Sequence, residues 1–106
     1  MGRSSKAVAA PQLLHAEEKG EKLRQACLEA ADGDELIFID GHDDAIIGIA
    51  DVNGELRVVY GQGAIVRKLM ARDGMDRLGA AEFVDYNIVG VIRDGFSPVV
   101  VQIIRP

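Results

Sequence analysis

The chain has no tryptophan, one cysteine, three prolines and only 5% aromatic residues. A single cysteine, Cys27, cannot close an internal disulfide, and it excludes both a disulfide scaffold and a cysteine-rich zinc site. Its solitude agrees with a reducing compartment. With so few aromatics, any core must rest on Ile, Val, Leu, Ala and Met. Long apolar runs are missing as well. Ala45–Ala50 and Val99–Val101 are far too short to span a bilayer. The polar start, Met1 to Ala7, has no apolar signal-peptide core, so a cytoplasmic protein is expected.

What remains is ordinary globular material. The 106 residues suit one domain, and 48% hydrophobic against 27% charged residues argues for a folded chain. The net charge of −5 is unevenly spread. Residues 1–31 hold five bases and four acids, a balance of +1, whereas residues 32–106 hold seven bases and thirteen acids, a balance of −6. A surface of that sign repels phosphate backbones and anionic membranes. Direct nucleic-acid binding and membrane binding are therefore not expected, whereas a protein with a basic surface is a fitting partner.

Along the chain, residues 1–11 end at Pro11 and read as a flexible tail. Residues 12–31 are mostly good helix formers, with Leu23, Ala26, Cys27 and Ala30 as a narrow apolar stripe and Gly20 as a weak point. Residues 32–106 read as the main α+β domain. Glu35–Ile39 and Ala45–Ala50 have strand composition. Asn53-Gly54 is a strong hairpin signal, with Leu56–Tyr60 returning. Gly61-Gln62-Gly63 leads into a helix with Ile65, Val66, Leu69 and Met70 on its apolar side, closed by Asp73-Gly74. Asp76 caps a third helix from Arg77 to about Tyr86. Ile88–Ile92 and Val99–Ile104 read as two last strands, with Arg93–Pro98 as a second hairpin turn. The expected architecture is a mostly antiparallel sheet of about five strands, two central helices on one face, and the N-terminal helix in addition.

The stretch Asp40-Gly41-His42-Asp43-Asp44-Ala45-Ile46-Ile47-Gly48 resembles one half of a pattern found in small uncharacterised phage and prophage proteins. Asp73-Gly74-Met75, Ala81-Glu82-Phe83 and Tyr86-Asn87-Ile88-Val89-Gly90 resemble the other half. The likeness covers roughly residues 35–92; His42 departs from it, standing where an apolar residue belongs. That group has no established activity, so the resemblance implies context and no site residue. Small phage accessory proteins often act by binding a host protein, including components of antiviral defence such as CRISPR effectors. A host-cell cytosolic location follows if the chain is phage-encoded.

The densest polar cluster is Asp40, His42, Asp43 and Asp44, with Asp51 beyond the next strand. Asp40, Asp43, Asp44 and Asp51 form the candidate binding set, an acidic face for a basic partner. As an alternative, Asp40, His42, Asp43 and Asp44 could hold a divalent cation for metal-dependent hydrolysis, although Asp and Gly also belong in a plain solvated turn. Gly61-Gln62-Gly63 before a helix has part of a phosphate loop, without its Gly-Lys-Ser/Thr. His15 and Cys27 lie twelve residues apart on one expected helix, about 18 Å, and cannot meet there. Glu82, Tyr86 and Asn87 make a polar edge on the third helix. No cofactor is expected. The function expected is non-catalytic binding of a host protein, with homodimerisation through a sheet edge or the N-terminal helix also open.

Overall fold

The structure, a computed structural model, describes the backbone of residues 2–88 and 97–106, and side chains from residue 15 onward. Helix α1 spans Gly2–Ala31, so it takes in the stretch read as a tail. Its end is set by chain geometry: Asp32 and Gly33 both turn left-handed, at φ 47 and 91, and the Asp32 N–H donates to Leu28 O and Glu29 O. Gly20, Cys27 and Ala31 are buried along α1 and Leu23 is partly so, while Ala26 and Ala30 face solvent. The apolar stripe thus lies one position round the helix from the one the residue types suggest, and Gly20 belongs to it.

After α1 the chain runs without regular structure to a single 3₁₀ turn at Asp43–Ala45, then forms β1 (Ile46–Val52) and β2 (Glu55–Gly61). These strands pair antiparallel, from Ile46 opposite Tyr60 to Val52 opposite Glu55, with a register shift between Ile46 and Gly48. Asn53-Gly54 closes the hairpin with both residues at positive φ, 55 and 84, the geometry that matches the twist of the strands. Helices α2 (Gln62–Asp73) and α3 (Arg77–Asn87) follow. Gly74 ends α2 at φ 70, and the Asp76 carboxylate caps α3 by accepting from the Gly79 N–H at 2.7 Å. Strand β3, Val99–Val101, then pairs with β2 in parallel, Val59 opposite Val99.

The described sheet therefore has three strands in the order β1-β2-β3, not five, and only one of its two pairings is antiparallel. Glu35–Ile39 has strand composition but no strand partner, because its backbone is engaged elsewhere: the Ile39 N–H donates to the Tyr60 hydroxyl at 2.7 Å. Leu36, Phe38 and Ile39 still pack against the core, so the β-forming residues serve burial and not pairing. Ile88 closes the last turn of α3, donating to Val84 O. The rest of that expected strand, and most of the second hairpin turn, lie outside the described residues. Strand β3 stops at Val101, and residues 102–106 are exposed and irregular.

Val58 and Tyr60, two apart on β2 and therefore on one face, are fully buried and join Ile65, Leu69, Val84 and Cys27 in one cluster. All three helices thus contribute side chains to one core cluster with β2. No described helix is long and apolar enough to cross a membrane.

Gly20 is the tightest point in this packing. A Cβ there would sit 3.1 Å from Asp43 Cβ and 3.1 Å from the Asp44 backbone nitrogen. Gly20→Ala should gain about 1 kcal/mol in helix propensity, yet it forces the turn off the helix at a cost of about 1–3 kcal/mol. The expected outcome is a net loss in urea unfolding, larger for Gly20→Val; a more stable Gly20→Ala would show that the contact is slack.

Candidate functional site

The segment from Phe38 to Ala45 lies between α1 and α2 and is held from both. Gly41 takes φ 81, which favours glycine. His42 N–H donates to Ile39 O, and Ala45 N–H donates to His42 O, closing a compact turn. From α1, Arg24 Nη1 donates to both Asp43 carboxylate oxygens at 3.2 and 3.1 Å. The same guanidinium lies 4.0 Å from the centre of the Phe38 ring, where the ring face attracts a cation. From α2, Lys68 Nζ donates to Gly41 O and to Asp44 Oδ1, the latter at 2.8 Å. From the sheet, Tyr60 holds Ile39. The phenol is so buried that its pKa is pushed up to about 12, with the Ile39 hydrogen bond acting the other way.

Two neighbouring carboxylates thus face opposite helices. Asp43 and Asp44 are each neutralised by a cation, with side chains only 26% and 21% exposed. Asp51 lies at the far end of β1, where its Oδ1 accepts from the Gly54 N–H at 2.8 Å and shapes the hairpin turn. Asp40 is exposed beside the loop. The four acids therefore do not share a face. Asp51 lies near the far end of β1, a strand of seven residues about 23 Å long, and the two acids nearest the loop's centre are spent on internal contacts. Among the described residues, no three His, Cys, Asp or Glu side chains converge to hold a metal ion. Asp40, His42, Asp43 and Asp44 are close in sequence without forming a ligand set.

A cleft of about 420 Å³ opens above this loop, between Glu17 and Glu21 of α1 and Lys68 and Arg72 of α2. Arg72 is already engaged by Asp73, at 2.9 Å from Nε to Oδ1. That ion pair draws the Asp73 carboxyl below its ordinary range. Within the lining Asp44 and Lys68 hold each other, while Asp43 is held by Arg24 from α1.

His42 is the unexpected member. It is only 7% exposed, and its Nδ1 is buried with no hydrogen-bond partner among the described residues. The position is buried but carries an imidazole. Cys27 is a buried core thiol, raised in pKa by burial and by the charge of Asp43, while His15 is exposed on α1. Glu82, Tyr86 and Asn87 sit on the exposed side of α3, where the Asn87 amide donates to Phe83 O near the helix end. The residues that sequence reasoning missed are the basic partners, Arg24 and Lys68. Their pairings span 19 and 24 residues, and no local pattern signals a contact of that range.

No protein-family model, curated protein or solved structure matches this chain.

Burial disfavours the charged form of His42. Lys68 and Arg72 add to that effect, and Asp44 and Asp43 oppose it, leaving the pKa below the ordinary 6.5. Between the two values the unfolded chain binds more protons than the folded one. Stability should therefore be level above about pH 6.5 and fall as pH drops below it, until His42 protonates in the folded state. Thermal melts across that range should show this slope in the wild type and lose it in His42→Leu. The same change should gain about 1 kcal/mol at neutral pH by removing an unpartnered buried nitrogen. A slope unchanged by the substitution would assign it to other groups.

Proposed function

We propose that this chain is a non-catalytic binding protein whose partner is another protein, and that the outer side of α3 makes the contact. Leu78 and Tyr86 on that helix are 70% and 79% exposed, and Phe83 lies beside them at 37%. Leu78, Glu82 and Tyr86 follow at four-residue steps along one side, opposite the buried Ala80 and Val84. Tyrosine and phenylalanine next to a large aliphatic are the side chains that anchor interfaces, since they bury much area at low entropic cost. This exposed face is the observation that supports the reading.

Glu82 lies within the apolar set, and Asp85 borders it. The fitting partner is an apolar groove with basic residues at its rim, engaged by a helix. The preference for a basic partner thus passes from the acidic loop, whose Asp43 and Asp44 are internally paired, to the carboxylates of α3. The resemblance to small phage proteins supports an accessory role against a host protein, including a component of antiviral defence such as a CRISPR effector.

Leu78→Asp with Tyr86→Ser tests the reading. Both side chains are exposed, so the melting temperature should hold within a few degrees. Capture of a host-lysate protein by the wild type, weakened by rising salt, should drop about tenfold or more in the double variant. Equal capture by a folded double variant would remove α3 from the interface.

A further inference from the structure

The net charge of −5 conceals a basic groove. A trough of about 650 Å³ runs along the start of α2, between β1, α3 and the segment after β3. Lys19, Arg67, Arg77 and Arg105 line it. None of the four has an ion-pair or hydrogen-bond partner among the described residues. Of the two acids in the lining, Asp44 is already held by Lys68, leaving Asp85. Elsewhere in this chain Arg24, Lys68 and Arg72 are each matched to a carboxylate. Among the described residues, the arginines without a partner all gather in this one place.

One of them sits against its own electrostatic preference. The Arg67 guanidinium folds back over the first turn of α2, and a Cβ on Gly63 would lie only 3.2 Å from its Nη1. A helix N-terminus carries partial positive charge and disfavours a cation. An anion seated there would relieve both. The floor of the trough is aliphatic. Ile47 and Ile103, 50% and 56% exposed, approach across Gly61, whose missing side chain leaves Ile47 Cγ2 and Ile103 Cδ1 within 3.5 and 3.9 Å of where its Cβ would be.

We propose that this groove is the docking site for an acidic, aliphatic peptide segment of a partner protein. Carboxylates of the segment meet the unpaired guanidinium groups, and its apolar side chains cover Ile47 and Ile103. Nucleic acid fits less well, because the lining has no aromatic ring on which a base could stack. The proposal goes beyond the α3 reading and does not depend on it: the groove adjoins the outer face of α3, with Asp85 at the border, but its cations call for a partner of opposite charge.

The test is fluorescence anisotropy with a short labelled peptide alternating glutamate and leucine, against its lysine–leucine counterpart and a labelled oligothymidylate. The acidic peptide should bind at least about tenfold more tightly than the other two and weaken with salt. Arg67→Glu with Arg105→Glu should abolish that preference while the melting temperature holds, since both side chains are exposed. Leu78→Asp with Tyr86→Ser should leave it intact, which separates this site from the outer apolar side of α3. Equal binding of the two peptides, preferential binding of the oligonucleotide, or an unchanged preference in the charge-reversed variant would overturn the proposal. Self-association by light scattering that blocks the peptide would overturn it too, by making a second copy the occupant.

Discussion

The bare backbone of Gly20 in α1 lets the turn at Asp43 and Asp44 come to within van der Waals contact, and the remaining structure is arranged around that approach. From there Asp43 reaches Arg24 on α1, while Asp44 reaches Lys68 on α2. Two consecutive residues thereby tie together helices that are far apart in sequence. Each exposed ion pair is worth at most about 1 kcal/mol. Their value is geometric: they tie α1 and α2 to one loop beside the core cluster that holds Cys27, Tyr60 and Val58. Tyr60 completes the clamp from the sheet side by holding Ile39.

Elements governed by local chemistry were legible in the sequence. Asn53-Gly54 needs positive φ at both positions, Gly74 ends a helix, and Asp76 caps one; each of these acts within four residues and can be read directly. The sheet was not legible to the same degree. Leu36 to Ile39 has the composition of a strand and is used as packing, because the Ile39 N–H went to a phenol 21 residues away. Val99–Val101 pairs in parallel after two intervening helices, a choice that depends on where α2 and α3 return the chain. Composition favours β structure without saying which neighbour will be found.

The acidic loop illustrates the same limit for function. Asp40, His42, Asp43, Asp44 and Asp51 are dense in sequence and suggest one site. In space they divide into two internal ion pairs, a turn-closing carboxylate, a buried imidazole and one exposed acid. The sequence could not reveal this because it depends on Arg24 and Lys68, which look like ordinary solvated cations on helices. The exposed side of α3 and the groove beside α2 were hidden by the same effect. Leu78 and Tyr86 read as helix residues that could face either way, and the four cations around α2 come from four separate segments.

Matching acids internally also changes what an approaching molecule meets. Mobile ions in a cell extinguish a field over about 8 Å, less than the roughly 23 Å length of β1. A visitor therefore responds to the few charges nearest to it, and the formal total is felt only at a distance. Because Asp43 and Asp44 turn their charge inward, a chain whose formal charge is −5 can offer a cationic surface at close range.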